Sequence, residues 1–96
     1  MTPLLRPRRA GRDARPPSER VVTLIGRPGC HLCDDAREVV RAVCAETGAS
    51  WEERDITADA GLHRLYWEQI PVVLVDGEQH DFWRVDAARL RRALGA

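Results

Sequence analysis

The sequence predicts an α/β domain: one mixed, four-stranded sheet covered by helices. Three observations carry that expectation. Val21 to Ile25 and Pro71 to Val75 are short, continuous apolar runs, the pattern of strands buried on both faces. Between and after them, apolar residues recur at spacings of three and four, the mark of amphipathic helices. Asp76-Gly77 then joins two extended segments, a strong two-residue hairpin signal. Helical crossovers imply parallel pairing, and the hairpin adds one antiparallel pair.

The elements follow in order. Val21 to Ile25 is β-branched at four of five positions and closes on Gly26 and Pro28. From about His31 to Thr47, Ala36, Val39, Val40 and Val43 make an apolar stripe, with Gly48 as the C-cap. Ser50 to Ile56 opens on Trp51 and carries Glu52, Glu53, Arg54 and Asp55, charges that suit an edge strand. Thr57 or Asp59 caps a short helix to about Glu68, with Leu62, Leu65 and Tyr66 as its stripe. After the Pro71 to Val75 strand and the hairpin, Glu78 to about Trp83 is the other edge. Asp86 caps a last helix that buries Ala87, Leu90 and Leu94 and exposes Arg89, Arg91 and Arg92.

Ninety-six residues leave room for one domain. The boundary falls near residue 20. Residues 1–19 read as a disordered, Arg- and Pro-rich tail, too poor in apolar side chains to offset its ordering entropy; residues 20–96 read as the folded domain. The formal net charge of zero hides an asymmetry of about +4 over residues 1–20 against about −4 over the rest. All 15 basic residues are arginine, which fits a genome-composition bias better than a functional choice. The tail is expected to be a solubilising leader, or the product of a misplaced start codon, rather than a contact for nucleic acid or an anionic surface. With no export signal and no apolar run near membrane length, the expectation is a cytoplasmic protein that meets no membrane, acting as a monomer.

Three cysteines, an odd number, argue against a structural disulfide framework. Cys30-His31-Leu32-Cys33, at a strand-to-helix junction, is the arrangement that dithiol/disulfide exchange needs, and it is also compatible with metal binding. A closed zinc site wants four ligands, commonly two pairs. No second pair follows: Cys44, His63 and His80 stand apart in the sequence, so metal handling is the lesser alternative. Cys30, just before the first helical turn, lies where free N–H groups and the helix dipole favour an anion, so it is read as the nucleophile. Cys33, one turn in, is read as the resolving thiol. His31 either tunes the thiolate or serves as a polar spacer. Asp34 and Asp35 suit a helix start but oppose ionisation of Cys30. Leu32 is a partner contact or filler. Cys44 reads as a small buried hydrophobe. Trp51, Trp67 and Trp83 read as core or edge packing, with Trp83 and Arg84 the pair nearest the expected groove.

The element order, the C-x-x-C after the first strand and Ile70-Pro71 before the third together resemble the glutaredoxin branch of the thioredoxin fold, over about residues 20–94. The resemblance implies strand order 2-1-3-4 with helices on both faces. Arg27 stands at the family's basic position, Asp55-Ile56-Thr57 is similar to its second-strand ending, Ile70-Pro71 to its cis-proline dipeptide, and Asp86 to the aspartate opening its final helix. It implies a dithiol-disulfide oxidoreductase with Cys30 and Cys33 catalytic and Arg27, His31, Leu32, Ile70, Pro71, Arg84 and Asp86 binding substrate. No tightly bound cofactor or metal is implied. Glutathione, another low-molecular-weight thiol or a thioredoxin-type reductase is the expected electron donor, and a disulfide-containing protein or small thiol the partner. A non-catalytic redox-sensor or binding module on the same fold is the alternative. Two departures stand out: His31-Leu32 replaces the usual proline and aromatic, and Phe82-Trp83-Arg84-Val85 replaces the Gly-Gly segment that receives a glutathione carboxylate.

Overall fold

The computed structural model describes residues 15–95. Strands β1 (Val21–Gly26), β2 (Ser50–Asp55), β3 (Val72–Val75) and β4 (Glu78–Phe82) form one sheet in the order β2-β1-β3-β4. Helices α1 (His31–Thr47), α2 (Ala60–Tyr66) and α3 (Ala87–Ala93) complete the domain, with 3-10 turns at Pro17–Glu19 and Ile56–Ala58. β1 pairs parallel with β2 and antiparallel with β3, and β3 pairs antiparallel with β4. The mixed sheet and strand order are those expected from the sequence.

Side-chain alternation along β1 and β3 divides the core into two layers. Val22, Leu24 and Val73 pack with Ala36, Val40, Val43 and Cys44 of α1 and with Leu90 and Leu94 at α3. On the opposite face Ile25 and Val72 pack with Ile56, Leu62, Tyr66 and Ile70. Helices therefore cover both faces, and each fully buried Val, Leu or Ile adds about 1.5–3 kcal/mol relative to exposure. The caps are those the sequence marks. Gly48 ends α1 at φ 88°, its N–H donating to Cys44 O at 2.8 Å; Asp59 accepts from Leu62 N at 3.0 Å; Asp86 accepts from Ala88 N at 2.8 Å and Arg89 N at 3.1 Å.

Several details differ from expectation. α2 stops at Tyr66, short of Glu68, because the chain must leave the helical conformation ahead of Pro71. Leu65, placed in the buried stripe by its spacing, is 66% exposed. In a seven-residue helix whose stripe is Leu62 and Tyr66, residue 65 lies about 100° round from 66. Trp67 and Trp83, read as packing residues, are 55% and 53% exposed, while Trp51 does pack against the core. Ile56 belongs to the 3-10 turn rather than to β2. In β4, Val73 pairs with Asp81 and Leu74 with Gln79, so His80 is the extra residue of a bulge. Burial, with the Arg89 guanidinium adding to it, holds His80 below the ordinary histidine range.

Most of the expected tail, residues 1–14, lies outside the described residues. The last five residues assigned to it instead carry structure: Pro17–Glu19 make a 3-10 turn and Arg15 reaches the hairpin. Asp76, at φ 52° in the turn, organises this corner. Its carboxylate accepts from Val21 N at 2.9 Å, from Arg20 at 3.1 Å and from Arg15 at 2.9 Å, while its own N–H donates to Val21 O at 2.8 Å. Arg20 is buried, so losing its anionic partner is costly. Asp76→Ala is expected to lower unfolding free energy by about 2–3 kcal/mol in urea titration. Asp76→Asn keeps an acceptor and tolerates the left-handed backbone, so it should cost less.

Candidate functional site

The site begins at the end of β1, where three local features re-aim the chain. Gly26 closes the strand, Pro28-Gly29 makes a turn with Gly29 at φ 74°, and Cys30 stands at the N-cap of α1. A positive φ favours glycine at that turn position, and Pro before it presets the turn. Cys30 is extended (φ −108°, ψ 113°), and its Sγ accepts a hydrogen bond from Cys33 N at 3.2 Å. A sulfur thus occupies the place a Ser or Asp side chain takes in an ordinary N-cap. There it faces the N-terminal N–H groups of the helix, which have no partner within the helix itself.

The two thiols differ in access. Cys30 is half-buried; Cys33 is 1% exposed. Burial, reinforced by its interaction with Cys30, pushes the Cys33 thiol from its usual 9.0 up to about 11. The room for Cys33 comes from Gly26: a Cβ built there would lie 2.8 Å from Cys33 Sγ and 3.2 Å from its Cβ. In the sequence alone Gly26 marks only the end of a strand. The available signal was spacing, since a helix entered four residues after a strand end lays its first buried turn over that end.

Ile25 pairs with Val72, so the next position of the antiparallel register sets Pro71 beside Gly26, the residue that Cys33 approaches. The Ile70-Pro71 bond is cis. Trp83 N donates to Pro71 O at 2.8 Å, extending the β3-β4 ladder by one position. Among the described residues no backbone hydrogen bond engages Ile70, whose side chain packs into the Ile25 and Val72 layer. Gly26, Pro71 and Trp83 consequently lie side by side across one end of the sheet.

The remaining expected binding residues do not share one pocket. Arg27 lines a cleft of about 190 Å3 with Pro28, Arg37, Glu53, Arg54 and Asp55, on the β2 side. Arg84 lines a smaller one of about 90 Å3 with Leu32, Asp35, Val39, Trp83 and Val85. A carboxylate held between the two arginines therefore has no common cleft. His31 is exposed at the start of α1, the position of a polar spacer. Asp34 is engaged by Arg37 at 2.8 Å, and Arg37 also holds Glu53 at 2.7 Å, which ties α1 to β2. Asp86 caps α3, and its hydrogen bonds from Arg89 N and Ala88 N hold its carboxyl below the usual range. Cys44 is buried in the helix-side layer, away from the motif. Among the described residues no three His, Cys, Asp or Glu converge as a metal-donor set, and no helix is long and apolar enough to cross a membrane.

A family model described as a glutaredoxin-like domain (DUF836) matches residues 21–95. An uncharacterized Mycobacterium tuberculosis protein is 35% identical over 75 residues, covering 73% of this chain and 77% of that one. The crystal structure of a structural-genomics target from X. campestris is 37% identical with a TM-score of 0.62, covering 77% of this chain and 95% of that one. A Halobacterium salinarum thioredoxin variant, 21% identical with a TM-score of 0.61 over 78% of this chain and 71% of its own, shares the fold.

Two outcomes test the geometry. Alkylation by iodoacetamide should modify Cys30 first, with Cys33 reacting appreciably only as pH approaches 11. The sign for stability follows: the fold favours the neutral Cys33 thiol, so the stabilisation this gives is complete below the unfolded pKa and is lost as pH rises towards 11. Gly26→Ala should displace Cys33, raise its alkylation rate at pH 8 and lower unfolding free energy by about 1–3 kcal/mol.

Proposed function

The chain belongs to the glutaredoxin-like (DUF836) domain family, a thiol-redox-type module of thioredoxin fold, and from that premise we propose that it is a dithiol-disulfide oxidoreductase working through Cys30 and Cys33. The observation that carries this reading is the asymmetry of the pair. An accessible sulfur caps a helix and accepts an N–H bond, while a buried thiol one turn on lies within reach of it.

The exchange balances with no bound cofactor. Cys30 thiolate attacks one sulfur of a substrate disulfide; a mixed disulfide forms and the other substrate sulfur leaves as thiolate. Cys33 then passes its proton to the departed substrate thiolate and attacks Cys30 Sγ. The Cys30–Cys33 disulfide forms, and the second substrate thiolate leaves. Two electrons have passed from the pair to the substrate. Two equivalents of a low-molecular-weight thiol, glutathione among them, or a thioredoxin-type reductase return the pair to the dithiol. The raised pKa of Cys33 keeps it protonated, and so unable to compete for the first attack, until the mixed disulfide brings a sulfur electrophile beside it.

The free backbone of Ile70, next to the cis-proline, offers a ladder position where an extended substrate segment can pair while its disulfide faces Cys30. Arg27 and Arg84, on either side, would then meet different parts of a substrate. A cytoplasmic setting fits a pair that must be kept reduced.

In a reductant-coupled assay with a small disulfide, Cys30→Ser should lower turnover at least about a hundredfold. Cys33→Ser should instead accumulate the mixed disulfide, visible by intact-mass measurement. Undiminished turnover of Cys30→Ser would overturn the assignment and leave a non-catalytic redox switch as the reading of this dithiol.

A further inference from the structure

Trp83 is a bulky residue held where few such residues go. Its φ of 64° is left-handed, a strained conformation for a large L side chain. Two hydrogen bonds hold it there: its backbone N–H to Pro71 O at 2.8 Å and its indole N–H to Glu68 O at 3.1 Å. The residue therefore bridges both ends of the segment 68–71 that carries Ile70 and the cis-proline. Its polar edge is satisfied, yet the ring is half exposed rather than buried. Phe82, also exposed, meets it edge-on with ring centroids 4.9 Å apart. Trp83 further shares a cleft with Leu32, the residue between the two cysteines, so it stands between the dithiol motif and the proline segment.

A tryptophan needed only to lock segment 68–71 gains nothing from an exposed ring; burial would stabilise it more. The ring instead borders segment 68–71, in which, among the described residues, no backbone hydrogen bond engages Ile70, leaving that position free to pair with an extended chain. Resting on the oxidoreductase reading above, we propose that Trp83 is a specificity-determining residue: its exposed ring receives an apolar side chain flanking the attacked cysteine of an extended peptide paired along Ile70. The preferred substrate class is then a protein disulfide in an apolar, extended segment. The exchange itself proceeds by the same bond changes and electron count given above.

The probes are two disulfide-bearing peptides, identical except that one carries Leu and the other Ser beside the cystine. Wild-type protein should show a higher kcat/KM for the Leu peptide, by about tenfold, carried by KM. Trp83→Ala should bring the ratio close to one. Trp83→Phe keeps a ring but loses the indole N–H, and should retain most of the preference. Equal kcat/KM for the two peptides in wild-type protein would overturn the proposal, as would a preference that survives Trp83→Ala. A Trp83→Ala variant slowed equally on both peptides, with the ratio intact, would make Trp83 a lock for segment 68–71 only. Turnover of neither peptide by wild-type protein, together with no Cys30-linked mixed disulfide in the Cys33→Ser variant, would overturn the oxidoreductase reading and this proposal with it.

Discussion

The close approach of Cys33 to Gly26 is the contact on which the site depends. A helix whose N-cap stands four residues after the end of a central strand lays its first inward side chain over that strand's last residue. Here the missing Cβ of Gly26 leaves the space that a thiol fills, since any Cβ would come within 2.8 Å of the sulfur. That contact sets how deep Cys33 lies, which raises its pKa. It also sets the distance from Cys33 back to the N-cap, which lets Cys30 accept the Cys33 N–H. Burial of one thiol and capping by the other are two results of one packing arrangement.

Around that contact the charges are arranged to hold the scaffold rather than to crowd the sulfur. Arg37 engages both Asp34 and Glu53 and fastens α1 to the outer strand β2. Arg91 holds Glu46 through both carboxylate oxygens and fastens α3 to α1. At the far end of β1, Asp76 gathers Val21 N, Arg20 and Arg15. Exposed pairs of this kind add about 0–1 kcal/mol each; the Asp76 corner involves the buried Arg20 and matters more. Its consequence for the site is indirect, because it fixes the register of β1 against β3 and so the placing of Pro71 beside Gly26.

Much of the fold was legible because the relevant signals are local. The apolar runs at Val21 and Pro71, the Asp76-Gly77 turn, the Gly48 cap and the Asp59 and Asp86 caps each depend on residues within a few positions of one another. All appear in the structure as read. The misreadings share a cause. Spacing puts Leu65 in the buried stripe and hydrophobicity puts Trp67 in the packing, but α2 is too short to bury more than one narrow stripe and Trp67 stands at its C-cap. Trp83 reads as packing in the sequence, yet its placement follows from Pro71, twelve residues away, and from Glu68, which no periodicity reveals. Arg27 and Arg84, similar in type and expected role, proved to line different clefts because β1 and the β4 to α3 connection leave the motif on opposite sides.

The amino-acid sequence by itself determined the order of elements, their caps, the hairpin and the position of a dithiol at a strand-to-helix junction. These rest on backbone conformation and short-range periodicity, which the chain carries wherever it is placed. Only the tertiary structure decided how the second thiol is accommodated, why Gly26 stands before the motif, that Arg27 and Arg84 line different clefts and that Trp83 faces the cleft beside Leu32. Those follow from strands and helices brought together from distant parts of the chain, where the available volume, rather than the identity of any one residue, sets what each side chain can reach.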